Sequence, residues 1–98
     1  MESRSEIFRL LESNRDKIKS FGVKRLGVFG SVARDEQTEN SDVDVLVELE
    51  KETFRGYMGL LLFLEDLFGR KVDLAIKDSI KPRIKDRVLS ETIYVKGL

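Results

Sequence analysis

Apolar positions along this chain fall at two spacings, and the spacings alternate. Ile7, Leu10, Leu11, Ile18 and Phe21 share one side at helical spacing, with Asn14 on the same stripe. This predicts a first helix from a cap at Ser3 or Ser5 to about Ser20, stopped by Gly22. Val23 to Phe29 reads as a strand that delivers Gly30 to the rim of a sheet. Ser31 to about Glu36 reads as a short helix, Gln37 to Ser41 as a polar turn, and Asp42 to Leu49 as a second strand. Thr53 can cap a long helix to about Phe68, closed by Gly69. That helix carries two apolar stripes. Phe54, Tyr57, Met58, Leu61, Leu64 and Phe68 form one; Leu60, Phe63 and Leu67 form the other. So wide an apolar surface does not suit a helix with one face in water. Either it packs between the sheet and the first helix, or Leu60, Phe63 and Leu67 dock a partner or a second copy. Gly56 and Gly59 weaken the helix unless something approaches closely there. Lys71 to Ile76 reads as a third strand, with Val72, Leu74 and Ile76 on one side and Asp73 and Ala75 on the other. Ser79 can cap a last helix to about Leu89, with Pro82 in its first turn, anchored by Ile80, Ile84 and Val88. Lys81, Arg83, Lys85 and Arg87 lie on its outer face, and Ile93 to Val95 can close the sheet. With no repeat and no linker, residues 1–98 are expected to form one α/β domain.

Composition narrows the chemistry. Ninety-eight residues allow one modest core. The 18 basic and 18 acidic residues cancel, which argues against a nucleic-acid binder held by phosphate contacts. There is no cysteine, so no disulfide, thiolate nucleophile or cysteine zinc site. There is no histidine, which removes the usual general base near neutral pH and the commonest transition-metal ligand. Catalysis, if present, must run on carboxylates and a metal. The N-terminus is charged and polar, and the apolar run from Leu60 to Leu64 is far too short to span a bilayer. A cytoplasmic protein without a membrane association is expected.

Against that background one stretch stands out. Val28-Phe29-Gly30-Ser31 is a strand end followed by a Gly-Ser turn into a helix. The free backbone N–H groups of such a turn, and the Ser31 hydroxyl, suit a phosphate. Ten residues later comes Asp42-Val43-Asp44. Alternation puts both carboxylates on one face, roughly 6–7 Å apart. Such a pair suits hard cations such as Mg2+. Phosphate and metal together point to nucleotide chemistry.

Gly30-Ser31, ten residues, then Asp42-x-Asp44 resembles the signature of the DNA polymerase β-like nucleotidyltransferases. The similarity is strongest to their minimal single-domain branch, the MNT antitoxins of HEPN/MNT toxin–antitoxin pairs. It runs from about Val23 to the C-terminus and takes in Val72-Asp73-Leu74, where that family keeps a third carboxylate, and Lys81-Pro82-Arg83. The resemblance implies a minimal nucleotidyltransferase fold, a small mixed sheet flanked by about four helices. It implies that Asp42, Asp44 and Asp73 hold two Mg2+ ions and carry the catalysis. It implies that Gly30, Ser31 and Arg34 hold the outer phosphates of ATP. It also implies a partner: a HEPN ribonuclease toxin that receives AMP on a tyrosine and is silenced. Two positions depart from the pattern. Asp35 stands where many members have glycine, adding a negative charge near the phosphate site, and Val32 stands where arginine is common.

Other readings stay open beside this one. Arg34 can be a surface residue paired to Asp35 or Glu36. The chain can be an antitoxin that neutralises its toxin by binding alone. It can also modify a small molecule such as an aminoglycoside, although nothing in the chain is left over to build an acceptor domain. Tyr57 and Tyr94, the only tyrosines, both look packed, which disfavours self-modification.

Overall fold

The computed structural model describes residues 3–38 and 40–98; Glu39, inside the expected polar turn, lies outside the described residues. The elements follow in the order α1 (Arg4–Ser13), α2 (Arg15–Lys19), β1 (Val23–Phe29), α3 (Gly30–Ala33), β2 (Val43–Leu49), α4 (Phe54–Phe68), β3 (Val72–Ile76), α5 (Pro82–Glu91) and β4 (Ile93–Tyr94). The strands form one mixed sheet in the order β3-β2-β1-β4. β1 runs antiparallel to β2 and β4, and β2 runs parallel to β3. This is the small mixed α/β sheet that the resemblance implies, with five helices among the described residues where about four were expected.

The first helix divides in two. Asn14 leaves helical geometry (φ −111°, ψ 20°), and its side-chain amide donates to the Leu10 carbonyl at 2.8 Å. A side chain that bonds its own backbone competes with the helix ladder. Ile7, Leu11 and Ile18 nevertheless stay on one side and are fully buried. The long helix keeps its expected bounds. The Thr53 hydroxyl accepts from the Gly56 N–H at 3.0 Å, and Gly69 ends the helix with a left-handed φ of 64°. Gly56 and Gly59 are explained by Phe21. A β-carbon at Gly59 would stand 3.0 Å from its ring, and one at Gly56 would stand 3.1 Å from its carbonyl oxygen.

One face of the sheet is the core. Val43, Val45 and Val47 of β2, Leu26 and Val28 of β1, and Val72 and Leu74 of β3 pack with Ile7, Leu11, Ile18, Leu60, Leu64 and Phe68 of the helices. The docking role considered for Leu60, Phe63 and Leu67 is therefore corrected. Leu60 is fully buried, Phe63 and Leu67 pack against the core, and the Phe63 ring lies 5.8 Å from that of Phe21. The helix has to cover both the sheet and the α1–α2 corner, so both stripes turn inward except at Phe54, which is exposed at the start of the helix. Its exposed large apolar residues are Phe54 and Leu62.

The free edge of β3 is capped by α4. The Val72 N–H donates to the Glu65 carboxylate at 3.2 Å, and the Tyr57 hydroxyl donates to the Leu74 carbonyl at 2.7 Å. After β3, Lys77–Ser79 form a single 3-10 turn, and α5 starts only at Pro82. Ser79 is not the cap; proline at the first helical position, with its fixed φ, sets the start instead. Among the described residues, no helix is long and apolar enough to cross a membrane.

Candidate active site

The other face of the sheet carries the carboxylates. The parallel β2–β3 register places Asp44 directly beside Asp73, and the antiparallel β1–β2 register places Phe29 beside Asp44 on the other side. Neighbouring strands lie about 4.8 Å apart, so the three positions form a short row across the sheet. Asp42 sits immediately before β2, exposed, because the strand begins at Val43 rather than at Asp42.

Asp44 is the half-buried member. Its pKa is pushed up to about 6, first by burial, then by the charges of Asp73 and Asp42, with Arg34 pulling the other way. Asp73 also helps burial to raise the Tyr57 hydroxyl above its ordinary value. The carboxylates therefore feel one another and are short of positive charge. Among the described residues, no group of three acidic side chains is gathered tightly enough to hold a metal ion by itself. Mg2+ does not require that. It keeps several waters and is bound through one or two carboxylates plus substrate phosphates. The donor set, all carboxylate oxygen with no nitrogen or sulfur alternative, fits such an ion.

Gly30 locks the turn against this group. Its φ is +69°, and a β-carbon there would stand 2.0 Å from Asp44 Oδ2. Only glycine permits both the left-handed backbone and that approach. The helix after it is shorter than expected: α3 is one turn, Gly30–Ala33, rather than Ser31 to Glu36. Asp35 ends it with φ +59°, a left-handed conformation that glycine adopts without cost. Asp35 lines a pocket with Ser3, Arg4 and Phe8. Val32 is fully buried in the core.

Arg34 is half-exposed and clasped. Its Nε donates to Glu36 at 2.7 Å and its Nη1 to Glu91 at 2.8 Å, which raises its pKa above the ordinary value. The Glu91 contact ties the Gly30 turn to the end of α5. Glu91 gives no local signal in the sequence, because it lies 57 positions from its partner.

The nucleotidyltransferase domain family matches residues 7–95. This chain belongs to that family. Protein adenylyltransferase MntA of Thermococcus cleftensis is 41% identical over 92 residues, spanning 92% of this chain and 93% of that protein. A solved structure described as a candidate minimal nucleotidyltransferase superposes with a TM-score of 0.74 at 37% identity, covering 95% of each chain. A chain from the complex of a tri-AMPylated Shewanella oneidensis HEPN toxin with an MNT antitoxin shares the fold, with a TM-score of 0.66 at 18% identity, covering 93% of this chain and 73% of that one. The row from Gly30 through Asp44 to Asp73 lies within the matched residues. The match extends over all three strands that form it.

Proposed function

We propose that this nucleotidyltransferase is a Mg2+-dependent protein adenylyltransferase. It moves AMP from ATP to a tyrosine of a partner HEPN ribonuclease toxin and so acts as its antitoxin. The observation that carries the reading is the register that sets Asp44 beside Asp73 with Gly30 abutting Asp44. The names of the relatives support the same activity.

Asp42, Asp44 and Asp73 would hold the metal, two ions in all. Bound Mg2+ supplies the positive charge that steadies the attacking and leaving oxygens of an in-line displacement. The Gly30 and Ser31 backbone N–H groups and the Ser31 hydroxyl hold the outer phosphates of ATP. A one-turn helix adds little dipole, so these direct donors matter most. Arg34 joins them by exchanging Glu36 or Glu91 for phosphate. The tyrosine oxygen bonds to the α-phosphorus, and the bond from that phosphorus to the β-bridging oxygen breaks. Pyrophosphate leaves with the electron pair, and Asp73 receives the phenolic proton. Residues 1–98 act as one domain in the cytoplasm, and the acceptor comes from another chain.

The test is to incubate the cognate toxin with this chain and Mg-ATP and measure its intact mass. Added AMP is expected with the wild-type chain and not with Asp42→Asn or Asp44→Asn. A toxin that stays unmodified overturns the reading. If Asp44→Asn still neutralises the toxin at stoichiometric dose, neutralisation is by binding alone.

A further inference from the structure

Arg34 is held by two carboxylates, and the two are not alike. Glu36 accepts from its Nε at 2.7 Å with a side chain that is 64% exposed. Glu91 accepts from its Nη1 at 2.8 Å with a side chain only 20% exposed. Among the described residues, the charges that act on Asp44 are those of Asp73, Asp42, Arg34 and Glu91; Glu36 is not one of them. Of the two partners, Glu91 is thus the drier one and the one whose field reaches the carboxylates of the site.

We infer that Glu91 is an inhibitory residue: in the nucleotide-free chain its carboxylate occupies Arg34 in place of an outer phosphate, and the triphosphate has to displace it. The inference rests on the reading of Gly30, Ser31 and Arg34 as the triphosphate site. A guanidinium offers the same planar fork of N–H donors to a carboxylate as to a phosphate, so an anion already on one edge excludes another from that edge. Charge acts in the same direction. Among the described residues, Arg34 is the one ion-pair partner of Glu91. A phosphate that takes Arg34 therefore leaves Glu91 facing an anion, and like charges at close range repel. The carboxylate then has to turn away, and its place in the chain permits that. Glu91 is the last residue of α5, and the helix end is held without its side chain. The Thr92 hydroxyl donates to the Val88 carbonyl at 2.7 Å, and the Thr92 N–H donates to the Leu89 carbonyl at 3.3 Å. A partly exposed pair of this kind shifts an equilibrium by no more than about fivefold, so Glu91 lowers nucleotide affinity without closing the site.

The test titrates Mg-AMP-PNP, Mg-pyrophosphate and AMP into the intact chain and its variants by calorimetry. Glu91→Gln keeps the size of the side chain and removes its charge. In that variant Kd should fall about fivefold for Mg-AMP-PNP and for Mg-pyrophosphate, and stay within about twofold for AMP, which lacks the outer phosphates. Glu91→Ala should match it, and Glu36→Gln should change the Kd for Mg-AMP-PNP by less than either. A Kd for Mg-AMP-PNP that is unchanged or raised in both Glu91 variants overturns the inference, because the contact would then position Arg34 for the phosphate instead of withholding it. Equal tightening of AMP also overturns it, as does a larger gain from Glu36→Gln than from Glu91→Gln. Tighter Mg-AMP-PNP in the Glu91 variants with no AMP transfer to the toxin keeps the inference and overturns the enzyme. No binding of Mg-AMP-PNP by the wild type or any variant overturns the nucleotide site and the inference with it.

Discussion

The two faces of one sheet divide the work. On the face under α1, α2 and α4, Val43, Val45 and Val47 of β2 are fully buried. On the other face, the same strand presents Asp44, Leu46 and Glu48. The first face holds the fold by excluding water; the second keeps charges together at a cost to stability. Asp44 shows that cost, since its ionised form is disfavoured by burial and by two neighbouring carboxylates. Such tension fits a site completed by a cation and a phosphate, because the ligands supply the charges that the protein withholds.

Substitutions should separate the faces. Asp44→Asn is expected to lower the rate of AMP transfer at least ~1,000-fold, or about 4 kcal/mol, with the thermal midpoint held or raised. Rapid-quench assay and calorimetry on the same sample check both halves. Leu64→Ala should do the reverse: a loss of about 3 kcal/mol in urea unfolding, with the transfer rate retained in the fraction that remains folded. Gly30→Ala should blur the division. A left-handed alanine driven into Asp44 costs about 2 kcal/mol and should also remove activity, because the carboxylate must move. A smaller effect concerns pH. The folded protein holds the Asp44 proton up to about pH 6, while the unfolded chain releases it near its ordinary 3.8. Stability from this group is thus full below the lower value and lost as pH rises through the higher one. Thermal midpoints from pH 4 to 7 should fall more steeply in the wild type than in Asp44→Asn, and saturating Mg-ATP should flatten the difference. The smallest effect should come from Asp35→Gly, a gain of about 0.5 kcal/mol from relieving a left-handed aspartate, read as a shift in urea midpoint.

Local signals in the sequence reach most of this arrangement. β1, the Thr53-to-Gly69 bounds of α4 and the inward set of β3 all follow from spacing and caps, because each is decided within a few residues. Gly30 and Asp44 follow from motif spacing and strand alternation and Asp73 from the family resemblance, although Asp42 falls just outside its strand. The rest depends on contacts distant in the chain. The break at Asn14 depends on which carbonyl its amide reaches. The early end of α3 depends on the backbone at Asp35. The clasp on Arg34 joins residues far apart in sequence, and periodicity carries no trace of it. The inward turn of Leu60, Phe63 and Leu67 depends on what the helix is asked to cover.

The capped border of β3 has a consequence for life without a partner. A strand at the margin of a sheet normally invites another to join it. Here Tyr57 and Glu65 have already taken two of its outward-facing groups, and the opposite margin, β4, is only two residues long. A newly made chain offers its neighbours little ladder to extend, so it can accumulate ahead of any binding partner without seeding fibres. Association is then left to side-chain surfaces, which can be selective where backbone pairing is not.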